Sequence, residues 1–303
     1  MEAPGIIAKT GFKHKSLSAF SFNPVVGCTH GCRFCYVPST STNKLTPQLS
    51  TLGVIDPDAD WGNYVFVREW DEIRFLRSLR TAQNTPVEEL PADGNRAVMF
   101  CSTTDPYQVV RNPDPATGRE LTKALQASVR RALELTRDHS DLNVRILTRS
   151  PMAKLDFDLM RSFGSRLLFG MSVPTLNDKL ARIYEPSAPA PSKRLATLRA
   201  ARDAGLNTFM ALAPTYPELH CPGTPLPWNS IALELHCPSD IEAVVRQTRE
   251  LVGESFKDLR KIRQCSELLR QLARSARATK AEGERALEAA RRLKPAMQGC
   301  LSF

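Results

Sequence analysis

The chain has 303 residues, of which 42% are hydrophobic and 24% are charged, and its formal net charge is +9 at pH 7. This composition is ordinary for a soluble globular protein, and no apolar stretch approaches the roughly 20 residues that span a bilayer. The first residues lack the apolar centre of a secretory signal, so the eight cysteines favour a reducing compartment and metal chemistry over disulfides. We therefore expect a cytoplasmic protein with no membrane partner.

The chain opens with residues 1–17, which we interpret as an irregular leader, and a short β-prone run then ends at Asn23-Pro24. A loop follows at once and carries three cysteines at the spacing C-x3-C-x2-C, namely Cys28, Cys32 and Cys35. Gly and polar residues surround them, which is typical of a loop and not of a core. A stretch rich in Ser, Thr, Asp and Pro then extends to about residue 60.

Strand and helix patterns alternate from there to residue 216. The predicted strands cover 64–68, 97–101, 143–148, 166–172 and 207–213, and the predicted helices cover 71–80, 121–135, 157–163 and 192–204. Strands separated by helical segments are typical of a parallel sheet built from right-handed βαβ units. About six units fit, fewer than the eight of a closed barrel. We therefore predict an α/β fold, a partial (β/α)6 barrel over residues 18–216.

Polar residues gather just past the carboxyl ends of the predicted strands. They lie from residue 28 onward and at 102–105, 148–150 and 172–175. Parallel α/β folds place their active sites on this edge of the sheet. We predict the functional site there.

The alternation breaks after Pro214. We predict a Pro-rich linker over residues 217–240, in which the sequence Glu-Leu-His-Cys-Pro occurs twice. Two His-Cys pairs could form a second metal site, although adjacent side chains usually point apart and the repeat can be accidental.

Residues 241–303 are predicted to form a basic helical appendage. Lys and Arg outnumber the acidic residues about two to one between residues 257 and 294. Such a segment suits a polyanion, and nucleic acid is the natural candidate. The alternative is a solvated basic helix without a partner.

The three cysteines are the strongest functional signal in the chain. Three thiolates at this spacing can hold three corners of a [4Fe–4S] cluster and leave the fourth iron open, and an open metal position is typical of a catalytic site. A structural zinc site that adds His30, or three unrelated cysteines, are the alternatives. No second Cys or His knuckle follows, so the cluster is the favoured ligand.

The cysteine spacing, with an aromatic residue just before the last cysteine, resembles the signature of the radical S-adenosylmethionine (SAM) enzymes. In that family the open iron binds the amino and carboxylate groups of SAM. The resemblance implies reductive cleavage of SAM to a 5′-deoxyadenosyl radical, which takes a hydrogen atom from the substrate. It also implies two cofactors, the cluster and SAM, and a one-electron donor of the flavodoxin or ferredoxin type.

Further segments resemble one branch of these enzymes, the spore photoproduct lyase-like proteins. The likeness covers roughly residues 17–216 and stops before the C-terminal third. The segments that carry it are 27–36, 102–108, 146–150, 171–173, 185–186, 194–195, 204–205 and 211–214.

The strand-end residues supply the groups that SAM requires: an acceptor for its amino group, a cation for its carboxylate, and hydroxyls. By the resemblance, Arg149 takes the place of a lysine that holds the SAM carboxylate. We predict Cys28, Cys32, Cys35 and Tyr36 as the catalytic set, with the three cysteines as metal ligands, and Phe34, Thr104, Asp105, Arg149 and Ser172 as the cofactor-binding set. Ordinary turn chemistry at a strand end is the alternative for the polar ones.

Two positions depart from the lyase pattern, in which a cysteine three residues before the motif Asp donates hydrogen to the repaired thymine. Ser102 occupies that position, and the cysteine lies one residue earlier, at Cys101. Since side chains alternate along a strand, the offset predicts that Cys101 faces away from the site. Phe34 stands where the lyase usually has a tyrosine and offers no phenolic hydrogen. We therefore do not expect thymine-dimer repair by the lyase route.

The sequence thus favours a radical SAM enzyme that is lyase-like and acts on nucleic acid. One alternative is a radical SAM enzyme that modifies a small molecule or a peptide, with the helical tail serving a partner. The other is a non-enzymatic cluster- or zinc-binding protein that contacts nucleic acid through its basic C-terminal region.

Overall fold

The computed structural model describes residues 5–10, 18–32, 35, 37–38, 42–90 and 96–211. Contacts between residues divide the chain into two compact units. The described part of the first is 5–10, 18–29, 63–90, 96–171 and 197–208, and that of the second is 30–32, 35, 37–38, 42–62, 172–196 and 209–211. Within the described residues, no helix is both long and apolar enough to cross a membrane.

Eight strands occur in the described residues. They are β1 (Ile7–Lys9), β2 (Phe20–Phe22), β3 (Val25–Gly27), β4 (Val65–Val67), β5 (Ala97–Phe100), β6 (Asn143–Thr148), β7 (Leu167–Ser172) and β8 (Thr208–Ala211). Six of them form one sheet in the order β1-β2-β5-β6-β7-β8, and β3 pairs with β4 in a separate antiparallel ribbon. Strands β2, β5, β6 and β7 run parallel, and β1 is antiparallel to β2.

Helices connect the parallel strands. They are α1 (Thr46–Ser50), α2 (Glu72–Gln83), α3 (Pro115–His139), α4 (Phe157–Arg161), α5 (Asp178–Tyr184) and α6 (Pro191–Asp203). Helices α2 and α3 each begin with a side-chain cap, which satisfies backbone N–H groups that the first turn leaves unpaired. Asp71 accepts from the N–H of Arg74 at 2.9 Å, and Asp114 accepts from the N–H of Thr117 at 2.9 Å.

The core of the first unit lies between the sheet and helices α2 and α3. The rings of Phe22, Phe75 and Phe100 are all fully buried, and the ring of Phe22 meets each of the other two edge-on at 5.3 Å between centroids. Edge-to-face packing of this kind adds to the burial of apolar area. On β6, Val144 and Ile146 are buried in alternation with less buried neighbours, as a strand with one covered face requires.

The second unit contains α1, α5 and the first part of α6. Its loop around residues 30–62 brings two glycines together, because a Cβ on Gly62 would lie only 2.8 Å from the Cα of Gly31. Both glycines have positive φ, +58° for Gly31 and +101° for Gly62. Glycine is the residue that adopts this conformation and allows so close an approach.

The structure confirms the predicted α/β class with a parallel sheet, and two of its strands differ from the prediction. First, β1 lies within the segment that was expected to be irregular. Second, the predicted strand at 64–68 is β4, and it does not join the parallel sheet but pairs antiparallel with β3. An antiparallel partner needs no helical crossover, so the helix-strand alternation does not reveal this pairing.

Candidate cofactor site

Cys28 follows directly after β3, whose last residue is a crowded glycine. Gly27 has a φ of +91°, and a Cβ there would lie 2.2 Å from the carbonyl oxygen of Tyr64. No residue with a side chain fits such a position without a shift of the backbone. The Cys28 side chain itself is nearly buried, at 8% exposure. The chain therefore enters the cysteine loop at a fixed angle.

Thr104 and Gln108 hold the backbone on both sides of Cys28. The Thr104 hydroxyl donates to the Gly27 carbonyl oxygen at 2.6 Å, and the Gln108 Nε2 donates to Thr104 Oγ1 at 2.7 Å. The Gln108 Oε1 accepts from the backbone N–H of Thr29 at 2.7 Å. Thr104 was predicted to contact SAM, whereas its described hydrogen bonds go to the protein.

Asp105 is likewise engaged within the protein. Its Oδ1 accepts from the Thr148 hydroxyl at 2.7 Å and from the Tyr107 N–H at 2.9 Å, and its Oδ2 accepts from the Arg149 N–H at 2.7 Å. These bonds tie the end of β5 to the end of β6. Asp105 thus fixes the backbone of Arg149, whose half-buried side chain lies at the sheet edge where the cation was predicted.

The backbone of Cys101 differs from the regular strand that the prediction of its outward orientation assumed. Its φ is +64°, so the residue has left the β conformation and the two-residue alternation does not apply to it. Its N–H still bonds to the Phe22 carbonyl at 2.7 Å. Burial raises the pKa of the Cys101 thiol well above its usual value, and the nearby charges of Asp105 and Cys28 raise it further. The Cys101 thiol therefore stays protonated at neutral pH.

Asn23 organises the turn that follows Cys101. Its Oδ1 accepts from the backbone N–H of Thr103 at 3.1 Å and from the Thr103 hydroxyl at 3.0 Å. Its Nδ2 donates to Ser102 Oγ at 3.2 Å. The residue that takes the lyase cysteine's place is thus a hydrogen-bonded serine.

In the second unit, a buried ion pair lies beside Cys32. The Nη2 of Arg194 and the Oε2 of Glu185 are 2.6 Å apart, and both side chains are 0% exposed. Glu185 Oε1 accepts from Cys32 Sγ at 3.9 Å, and Arg194 Nη1 donates to the Ser172 carbonyl at 2.9 Å. The pair therefore links a predicted cluster ligand to the strand end that carries Ser172.

The three cysteines of the motif are available as thiols. Cys28, Cys32 and Cys35 are not halves of disulfides, and the Cys35 N–H donates to the Cys32 carbonyl at 3.1 Å. Thiolates are the ligands that iron–sulfur clusters prefer, so the three cysteines are suitable ligands for a [4Fe–4S] cluster. Among the described residues, no three His, Cys, Asp or Glu side chains are already spaced to hold a metal ion. The ligand set thus rests on the sequence spacing.

Some predicted features fall outside the described residues. These are Phe34, Tyr36, the two Glu-Leu-His-Cys-Pro repeats and the basic C-terminal region.

Three residues with evident roles were not assigned from the sequence. Gln108, Glu185 and Arg194 were read as parts of motifs without a function. The sequence does contain a signal for Arg194, which lies next to Leu195 on the apolar face of a predicted helix. A charged side chain that is buried there requires a partner of opposite charge. No comparable signal marks Gln108 in a turn sequence.

Comparison with known proteins identifies a family. The model of the radical SAM superfamily matches residues 22–219. An uncharacterized protein of Acidianus two-tailed virus, ORF301, is 30% identical over 205 residues, which cover 67% of this chain and 58% of that protein. An uncharacterized protein of Mycobacterium bovis, Mb2609c, is 26% identical over 66% of this chain and 50% of its own length. The chain thus spans about half the length of these relatives, 58% of one and 50% of the other.

Among solved structures, a spore photoproduct lyase complexed with dinucleoside spore photoproduct is similar to this chain. The TM-score is 0.49 and the sequence identity 16%, over 78% of this chain and 54% of the lyase.

Proposed function

Because the chain belongs to the radical SAM superfamily, we propose that it is an enzyme that binds a [4Fe–4S] cluster through Cys28, Cys32 and Cys35 and cleaves SAM reductively. The observation that carries the proposal is that the family model spans the cysteine loop and every strand end of the predicted site. The relatives are longer than this chain, so its activity and substrate are part of the proposal.

The cofactors supply the chemistry, and the protein places and encloses them. Held by Cys28, Cys32 and Cys35, the cluster would supply the single electron for reductive cleavage of SAM, and SAM would supply the radical chemistry that acts on the substrate. The burial of Cys28 and Cys32 limits access of water and oxidants to the ligand sulfurs.

We assign Arg149 to the SAM carboxylate. Its backbone is fixed by the buried Asp105, while its side chain is half-buried at the sheet edge, so the guanidinium starts from a rigid anchor. A guanidinium offers two parallel donors to a carboxylate, unlike the point charge of a lysine. On the resemblance to the lyase-like branch, we also propose that Ser172 and Thr104 contact the methionyl and ribose portions of SAM.

For the substrate, we propose nucleic acid, on the sequence resemblance to the lyase-like branch and the basic segment at 257–294. A second candidate is a small molecule or a peptide. It is favoured by the hydrogen-bonded Ser102 at the position of the lyase's hydrogen-donating cysteine. In either case the electron comes from a one-electron donor of the flavodoxin or ferredoxin type, and we place the enzyme in the cytoplasm, where such donors and reduced thiols occur.

Anaerobic reconstitution with iron and sulfide tests the cofactor assignment. We expect a brown protein with about four irons per chain, and a loss of iron on Cys28→Ala. A colourless protein that binds one zinc per chain contradicts the proposal and favours a zinc-binding protein.

The substrate class is tested with the reconstituted protein, SAM and dithionite. Release of 5′-deoxyadenosine that rises with DNA or RNA supports nucleic acid, and a rise only with peptides or small metabolites supports the second candidate.

A further inference from the structure

Gln108 is fully buried at 0% exposure, and both polar atoms of its amide make hydrogen bonds. Its Oε1 accepts from the Thr29 N–H, and its Nε2 donates to Thr104 Oγ1 and also reaches the Asp105 carbonyl at 3.2 Å. A backbone N–H can only donate, so the N–H of Thr29 requires the amide oxygen to face it and the amide nitrogen to face Thr104. The orientation of the amide is therefore determined by the network. A residue so enclosed does not contact a cofactor directly.

The network acts on one residue from both sides. The peptide carbonyl before Cys28 belongs to Gly27 and is held by Thr104, and the peptide N–H after Cys28 belongs to Thr29 and is held by Gln108. Since Gly27 is itself crowded against Tyr64, the backbone around Cys28 has little freedom.

We propose that Gln108, through Thr104 and Thr29, is a positioning residue that presets the Cys28 thiol to bind the cluster. This rests on the proposed function, in which Cys28 is a cluster ligand. A ligand that is ordered before it binds loses less conformational freedom on binding, so the network favours retention of the cluster.

The network depends on the Gln108 amide because this group accepts a hydrogen bond with its oxygen and donates one with its nitrogen. A glutamate at this position can accept from Thr29 but cannot donate to Thr104, and its charge would face the Asp105 carbonyl. A buried polar group that loses its partner is costly, so the local structure should open more often.

The reaction of Cys28 with iodoacetamide in the reduced apo-protein measures this opening, with mass spectrometry to assign each cysteine. We expect Gln108→Glu to raise the Cys28 rate about tenfold, the factor for the loss of one buried hydrogen bond. Thr104→Val should act in the same direction, and Thr104→Ser, which keeps the hydroxyl, should restore the slow rate. Gln83→Glu is the matched control, because Gln83 also accepts one backbone N–H, from Asp141 at 3.0 Å, and no described bond joins it to the cysteine loop.

The alkylation rate of Cys35 distinguishes a local effect on Cys28 from a general loosening of the protein. We expect this rate to be unchanged in the variants. Equal Cys28 rates in wild type, Gln108→Glu and Thr104→Val overturn the inference, as does a parallel rise at Cys35. If Gln108→Glu loses its far-UV circular dichroism, the pair of Thr104 variants decides by the same criterion.

Measurement of the iron content after reconstitution distinguishes a failure of this inference from a failure of the proposed function. We expect the two destabilised variants to retain less iron than wild type. Wild-type protein that binds no iron contradicts the proposed function, whereas the alkylation rates still decide whether the network holds Cys28. Retention of equal iron in all variants would show that the network does not serve the cluster.

Discussion

At the scale of single residues, several polar side chains of the candidate site form hydrogen bonds to the backbone and fix its conformation. Thr104 and Asp105 were predicted as cofactor contacts because hydroxyls and carboxylates suit SAM. Both make hydrogen bonds to neighbouring peptide groups, Thr104 to Gly27 and Asp105 to Arg149, and their contact with SAM stays a prediction. The sequence places the correct residue types at the sheet edge, but it does not tell whether such a group meets a ligand or another part of the chain.

Gly27 is the residue whose substitution should disturb the site most directly. In Gly27→Ala the new Cβ would lie 2.2 Å from the Tyr64 carbonyl oxygen, in addition to the strain of a φ of +91°. We expect a loss of more than about 2 kcal/mol in the free energy of unfolding. The control is Gly205→Ala, where φ is +81° and no heavy atom lies within 4 Å of the new Cβ. Urea unfolding of the two variants gives the loss in unfolding free energy that is due to the steric clash at Gly27. Equal losses in the two variants would contradict a clash with Tyr64.

Cys101 should make stability depend on pH. Because the pKa of its thiol is raised in the folded protein, the unfolded thiol, with a pKa of about 8.5, ionises first, and stability falls above that pH until the folded pKa is reached. Relative to Cys101→Ala, wild type should lose about 1 kcal/mol of unfolding free energy between pH 8.5 and 9.5 and nothing below pH 7.5. Denaturant unfolding in a reducing agent tests this. A constant difference across the range would show that the thiol is not buried.

At the scale of elements, the second unit depends on a charge pair between α6 and the residue that follows α5. Arg194 also donates from Nε to the Pro189 carbonyl at 2.6 Å, so its guanidinium is held on several sides. Glu185 and Arg194 are both inaccessible to solvent. Removal of one partner leaves a buried charge without compensation, which is far more costly than the pair itself is stabilising.

We therefore expect Arg194→Met to reduce the unfolding free energy by about 3–5 kcal/mol. The double variant Glu185→Gln/Arg194→Met should recover part of this loss, because the second change removes the uncompensated carboxylate. Arg202→Met on the same helix is the control, since its pair with Asp203 is on the surface and is expected to contribute less than about 1 kcal/mol. Additive losses in the double variant would contradict a coupled pair.

At the scale of the whole molecule, helix-strand periodicity was enough to predict the class of the fold. The strand at 143–148 and the helix α6 were predicted within a residue of their observed bounds, because the strand alternates in burial and Gly205 marks the end of the helix. The pairing of β3 with β4 was not predictable, since the two segments are separated by a long loop and only contacts distant in sequence bring them together. The positive φ of Cys101 was not predictable either, because no local pattern announces it for a non-glycine residue.

The same limit applies to the candidate site. The cysteine spacing and the strand-end positions could be predicted, since motif and topology determine them. The roles of Gln108, Glu185 and Arg194 could not, because each follows from a buried partner far away in the sequence.

The central claim is tested most directly by SAM cleavage. Protein reconstituted under anaerobic conditions is incubated with SAM and dithionite, and 5′-deoxyadenosine is quantified by chromatography alongside Cys32→Ser. We predict that wild type releases 5′-deoxyadenosine and methionine in equal amounts and that the variant releases neither. Cluster-loaded wild type that yields no more 5′-deoxyadenosine than the variant would contradict the assignment.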